Sequence, residues 1–346
     1  MPVVRTGGAS RVLATCAAAL ALVSCSSSSP GTSATHASSR APVTSRSMTP
    51  SATRAPATAS STSASAHPTS ASGPSTSASS DSADRTLPRG GRAILGHYRV
   101  VAFYGAAGNP QLGALGTASP ESIAPKIVQR ANGFAPYGLP VQPAMELIAT
   151  VAQGSPQADG SYSKPIAMAT IRHYLAVAHR YRMLLVLDLQ PGRSTFYKQV
   201  QALHDVLLDP SVELGLDPEW KVAAGQRPGD GLIGSSGSGD VDRTIDYVSG
   251  LVSTHHLPHK LVVVHEFTSS MLPDRDDIRA RPGVELAFHA DGFGHPSSKI
   301  SVLHKLAFPG RPMGVGFKLF FTQDSRLMTP GEVMALHPRP DIITYQ

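Results

Sequence analysis

Residues 94–346 predict an α/β fold, a (β/α)8 barrel, on three observations. Eight short apolar runs recur along the segment, and stretches of helical period lie between most of them. No Gly-rich dinucleotide turn follows the first run, which argues against a doubly wound open sheet. The first strand is read at 98–104, where Val100 to Phe103 carry no polar break. The next three fall at 145–151, 183–189 and 212–216, and the last four at 261–267, 284–289, 315–321 and 342–345. Several of these runs are apolar on both faces, as parallel strands covered on both sides must be. A helix is expected over 119–132, opened by Ser119, Pro120 and Glu121, and another over 165–181 with proline in its first turn. Further helices are expected at 195–208, 240–255, 297–307 and 330–336. No helical pattern follows the eighth run, so segment 92–96 or the loop after the first strand is expected to cover that flank.

Residues 1–24 carry the anatomy of a lipoprotein signal peptide. Arg5 and Arg11 precede an apolar run too short to span a bilayer, and the run ends in Leu22, Val23, Ser24 and Cys25. That ending resembles a bacterial lipobox, which implies that Cys25 is lipidated and anchors the chain to the outer face of the cytoplasmic membrane. Residues 25–93 are Ser, Thr, Ala and Pro with scattered arginine, and are expected to form a disordered tether of roughly 45 Å as a flexible coil. Both cysteines, Cys16 and Cys25, lie in this leader, so the barrel has neither disulfide nor thiol nucleophile. The charge of +6 also belongs upstream: eight arginines and two aspartates precede residue 94, leaving the barrel near neutrality. A nucleic-acid partner is therefore not expected.

Barrel enzymes work at the C-terminal ends of their strands. Here those ends bring up Tyr104, Glu146 with Thr150, Asp188 with Gln190, Asp217 with Glu219, His265 with Glu266, His289 with Asp291, Lys318 with Asp324, and Tyr345 with Gln346. Asp217 and Glu219 are the leading pair. Two residues apart in an extended segment, they would share a face. A carboxyl with raised pKa beside a second carboxylate is what glycosidic cleavage requires. Glu219 is taken as general acid, with Asp217 or Glu266 as its partner. Asp188, Gln190, Trp220, His265, Asp291, Lys318 and Tyr104 are candidate substrate-binding residues, with Trp220 offering an aromatic face. The Gly/Ser-rich stretch 230–240 is expected to form a flap over the mouth.

Asp217 and Glu219 at the fourth strand resemble the Asp-x-Glu of chitinase-like and lysozyme-like glycosidases, a likeness that implies acid/base duty for Glu219 and an assisting role for Asp217. The chitinase-like pattern has further aspartates upstream, where this chain has Gly215 and Val212, and the lysozyme-like family has an aspartate at the first strand's end, where this chain has Tyr104. The domain also resembles a group of actinobacterial lipoproteins through segments 101–105, 187–193 and 216–220. Two further readings stand beside the hydrolase. One is a non-catalytic glycan-binding or envelope-organising lipoprotein. The other is a metal-dependent hydrolase resting on His265 and His289. The His-x-His that such hydrolases carry on the first strand is absent, so neither metal nor cofactor is expected.

Overall fold

The computed structural model describes residues 85–307 and 313–346. The signal peptide, Cys25 and most of the tether lie outside them. Eight parallel strands close into a barrel: β1 (Arg99–Gly105), β2 (Val141–Ala152), β4 (Leu184–Leu189), β5 (Val212–Leu216), β6 (Lys260–Glu266), β7 (Val284–Ala290), β8 (Gly314–Leu319) and β9 (Ile342–Tyr345). Closure comes from β1, which pairs with β2 on one side and β9 on the other. The ninth strand, β3 (Ser163–Pro165), is an antiparallel addition to the end of β2. It corrects the expected 165–181 helix: Pro165 belongs to β3, and α2 runs Met168–Tyr181. Strand β2 also begins earlier than expected, because Pro143 sits inside it near the start, where a missing N–H is tolerated. The 195–208 helix divides into α3 (Phe196–Gln201) and α4 (His204–Leu207). The remaining helices, α1 (Pro120–Asn132), α5 (Ser238–His255), α6 (Pro296–Leu306) and α7 (Pro330–Met334), follow the expected pattern.

Alternation along each strand divides the core in two. Outward residues such as Val101, Met145, Leu185, Leu214 and Val262 meet helix residues such as Ile123, Ile171 and Ile245. Inward residues build a narrower cluster of Val100, Ala102, Ala144, Val186, Leu261, Val263 and Ala287. Small side chains recur there because the strands face one another across a confined lumen.

Segment 92–96 does not cover the flank beside β9. It belongs to a plug at the N-terminal end of the barrel, where Leu87 and Ile94 join the inner cluster. The Ile94 and Leu95 N–H groups donate to Glu285 at the start of β7, at 2.8 and 3.2 Å. Arg89 reaches the Val141 carbonyl at the start of β2, and Arg92 the Leu257 carbonyl just ahead of β6. Over β9, Phe321 stacks on Tyr345 at 5.6 Å and meets Phe103 edge-on at 5.7 Å, while Arg130 of α1 lies 4.9 Å from the Tyr345 ring. No helix among the described residues is long and apolar enough to cross a membrane.

Candidate active site

Near the C-terminal ends of the strands the barrel interior turns from apolar to ionic. Tyr104, Glu146, Asp188, His265, His289, Lys318 and Thr344 all point inward and are buried, one from each of seven strands. The eighth strand, β5, presents Gly215 at this level and Asp217 just beyond its end.

Four of these groups, with Asp291 just past the end of β7, form a closed ring of contacts at hydrogen-bond distance. His265 Nε2 meets Glu146 Oε1 at 2.9 Å, and its Nδ1 meets Asp291 Oδ2 at 2.8 Å. Asp291 Oδ1 takes His289 Nδ1 at 2.6 Å, and His289 Nε2 lies 3.1 Å from Thr344 Oγ1. Thr344 Oγ1 returns to Glu146 Oε2 at 2.8 Å. The ring thus ties β2, β6, β7 and β9 together across the lumen. Lys318 Nζ adds a second cation, 3.0 Å from Asp291 Oδ2 and 3.8 Å above the Tyr104 ring. Tyr104 donates to Asp188 Oδ2 at 2.9 Å, and Gln190 Nε2 donates to the Tyr104 oxygen at 3.3 Å.

Burial opposes charge on every member, so partners decide who is ionised. For His265, burial is outweighed by Asp291 and Glu146, which hold the imidazolium well above the usual range. Asp291 is buried too, yet Lys318 and the two histidines hold it well below the ordinary carboxylate range. Glu146 is lowered by His265 against its own burial. His289 is lowered, with burial prevailing over Asp291. A neutral His289 donates from Nδ1 to Asp291; the single proton of the Thr344 hydroxyl goes to Glu146, so His289 Nε2 only lies beside that oxygen.

The remaining acids go the other way. Burial raises Asp188 to about 6, with His265 offsetting part of it. Asp217 is pushed well above its usual value by burial and by Glu219 and Asp188. Glu219 is pushed up to about 7 by burial, against Lys318 and with Asp291. Unlike the others, Glu219 is only half-buried, so it is the acid that meets solvent.

The route by which Asp217 and Glu219 arrive differs from the sequence expectation. The strand stops at Leu216, and Pro218–Trp220 forms a 3-10 turn with Asp217 at its N-cap. The turn tilts Glu219 toward solvent while Asp217 stays buried. Pro218 favours this, since its fixed φ suits a first-turn position. The Gly234 and Ser235 N–H groups donate to the Glu219 and Lys221 carbonyls at 2.6 and 2.9 Å, pinning the end of the Gly/Ser-rich loop beside the turn. Leu232 and Ile233 before it are exposed.

Tyr104, Asp188, Gln190, Asp217, Glu219, His265, Asp291 and Lys318 are therefore gathered in one place. Glu266 is not. It alternates with His265, faces outward and pairs with Arg275 at 2.8 Å, whose other end reaches the Leu306 carbonyl of α6. Burial raises Glu266 to about 7 despite Arg275, but it is no partner to Glu219 across the lumen. Trp220 is half-buried, its indole N–H without a hydrogen-bond partner among the described residues.

Glu146 and His289 stood among the strand-end residues without a place in the glycosidase site, and Thr344 was not singled out. The signal for Thr344 is parity: it is an isolated polar residue on the inward register of an apolar strand.

His265, His289 and Asp291 have donor atoms within 4.8 Å of one another, a metal-compatible spacing. They face each other as hydrogen-bond partners, however, and the Lys318 ammonium already supplies positive charge at Asp291. A divalent ion would have to displace both bonds and sit beside that ammonium. The donor set fits a hydrogen-bonded ring better than a metal. A separate cavity of about 790 Å³ lies at the other end of the barrel, lined by His259, Arg281 and Glu285, away from all of these groups.

No protein-family model matches the chain, and no curated protein matches it in sequence. Among solved structures it is similar to a GH18 chitinase from Pseudoalteromonas aurantia, with a TM-score of 0.28 and 10% identity over 70% of this chain and 79% of that one. That degree of overlap assigns no role to any residue here.

Proposed function

We propose that this barrel is a glycoside-hydrolase-like domain acting on an envelope or extracellular glycan, with Glu219 as the general acid. The observation that carries this reading is the contrast between Glu219 and its neighbours. A single partly exposed carboxyl, raised to about 7, sits at the C-terminal end of β5 above buried Asp217 and Asp188. Protonated near neutrality, it can give its proton to a leaving glycosidic oxygen and regain one from water. Asp188, raised only to about 6, would be the ionised carboxylate behind positive charge developing on the sugar, while Asp217, pushed well above its usual value, keeps its proton. Glu146, His265, His289 and Thr344 hold that floor in place. Replacing Glu219 by Gln should lower turnover on a cleaved glycan by about 10²–10⁴-fold with an unchanged circular-dichroism spectrum. Full activity in that variant would overturn the assignment.

One observation favours a second reading, a glycan-binding domain without turnover: Asp217 and Asp188 are so deeply buried that the mouth offers solvent one carboxyl of the three. Binding of a glycan panel with no cleavage by the wild type would select it.

We infer further that the chain is a lipoprotein held at the outer face of the cytoplasmic membrane through Cys25. The apolar run ending at Leu22 to Cys25 supports this. Cys25→Ser should move the protein from the membrane fraction to the soluble fraction. Unchanged membrane association would exclude lipid on Cys25 as the anchor.

A further inference from the structure

A ligand held at Glu219 sits shallow. Asp217 and Asp188 are buried beneath it, so the ligand's other side would remain in water, which an enclosed site excludes. The segment placed to cover it is the loop between β5 and α5, whose two ends are fixed. At its entry the Val222 N–H donates to the Gly192 carbonyl at 2.9 Å, and Arg193 holds the Gln226 carbonyl through two N–H groups at 3.0 and 2.6 Å. At its exit Gly234 is bonded to the Glu219 carbonyl, and the Ser236 N–H donates to the Met271 carbonyl at 3.0 Å. Gly234 is also wedged in place, since an added Cβ would run into the Glu219 and Lys221 carbonyl oxygens. Between these ends the chain is loosely held. Among the described residues the backbone of 227–233 makes no hydrogen bond beyond itself, the Asp230 N–H reaching only the Arg227 carbonyl at 3.5 Å. Gly229 and Gly231 stand at φ +93° and +77°, with open space around Gly231. This arc carries Leu232 and Ile233, two of the four large apolar side chains exposed among the described residues. Ile233 is one peptide, about 3.8 Å in Cα spacing, from the residue bonded to Glu219.

We propose that residues 229–233 are a lid for the site at Glu219, and that Leu232 and Ile233 are the side chains it lays on the ligand. The proposal rests on the reading of the mouth as a glycan site and adds the residues that close over it. A pyranose suits such a cover: its hydroxyls lie at the ring edge, within reach of a carboxyl, and its faces present C–H groups to the Leu and Ile side chains. Closure leaves both anchored ends bonded, and the glycines absorb the change in φ. It also takes two exposed apolar side chains out of water, so ligand and lid are buried together. A ligand beneath the closed lid leaves only when the lid reopens, so the lid acts on dissociation.

The test is hydrogen–deuterium exchange on the purified full chain, alone and with the β-1,4-linked tetramers of glucose and of N-acetylglucosamine, joined to dissociation rates from the same tetramers immobilised on a sensor surface. In the free chain 227–233 should exchange within seconds while 234–236 is protected. A tetramer that binds should slow exchange at 227–233 by at least about 10-fold. Leu232→Ser combined with Ile233→Ser, both at exposed positions where folding is not at stake, should speed dissociation by about 10-fold and leave association within about twofold. A tetramer that binds without slowing exchange at 227–233, or a double variant that dissociates at the wild-type rate, overturns the lid and leaves the glycan site standing. Slow exchange of 227–233 in the free chain overturns it as well, since the arc would not be free to move. Failure to bind either tetramer or any other glycan removes the glycan reading, and the lid with it.

Discussion

A Cβ built on Gly316 would lie 2.2 Å from His289 Cδ2 and 2.9 Å from the His289 Cα, and one on Gly215 would lie 2.7 Å from Asp188 Oδ1. Neither glycine is needed for a left-handed backbone; each is needed for room. Gly316 lets an imidazole lie across the lumen from β7, and Gly215 does the same for a carboxylate from β4. Gly316→Ala should therefore cost about 1–3 kcal/mol, because the clash includes neighbouring-strand backbone that a rotamer change cannot relieve. A urea midpoint equal to wild type would show that β8 yields more easily than its contacts imply. The sequence carried the identity of most of the mouth, since Asp188, Asp217, Glu219, His265, Asp291 and Lys318 all stand at strand ends. It did not carry direction. Glu266 looked equivalent to His265, but one step along a strand turns a side chain to the opposite face, where Arg275 claims it. Thr344, by contrast, passed for an ordinary β-branched strand residue, and only the closed barrel brings it 2.8 Å from Glu146.

At the scale of elements, the strands were legible because a doubly covered parallel strand must be apolar on both faces, and 212–216 and 342–345 emerge with the expected limits. The start of α1 was legible through Ser119 and Pro120; Thr195 capping α3, and Thr329 with Glu332 forming a capping box on α7, emerge from the structure. What escaped were features decided by neighbours. Strand β3 is three residues that exist as a strand only because β2 runs on past its parallel partner. The Pro218–Trp220 turn looked like a continuation of β5, and a period-two argument put Asp217 and Glu219 on one face. They do converge on the mouth, but the 3-10 turn gives them different depths, and from that difference comes the contrast between a buried acid and a reachable one.

Across the whole molecule, the buried acids make stability depend on pH in a definite direction. Glu213, raised to about 8 by burial against Lys260, stands with Glu219 and Glu266 at about 7 and Asp188 at about 6. In the unfolded chain these groups release their protons near pH 4 to 4.5. Between there and about pH 8 the folded state holds more protons, so stability falls as pH rises. His265 acts in the same sense: its raised pKa stabilises fully below the unfolded value and is lost as pH climbs toward the folded one. Asp291 and Glu146, both lowered, lose their contribution as pH drops below the carboxylate range, and His289, also lowered, is destabilising in acid. The melting temperature should therefore be several degrees higher near pH 5 than at pH 8, and Glu213→Gln should flatten the decline. A melting temperature that rises over that interval, or a slope untouched by Glu213→Gln, would contradict this account.

The plug at the N-terminal end adds a consequence of another kind. Arg89, Arg92 and Ile94 fasten the first described residues to the starts of β2, β6 and β7, at the pole opposite Glu219. Whatever grips the chain ahead of Arg85 therefore pulls on the sealed pole of the barrel. The domain has a handle at one end and its candidate site at the other, and a tug on the handle need not obstruct what approaches that site.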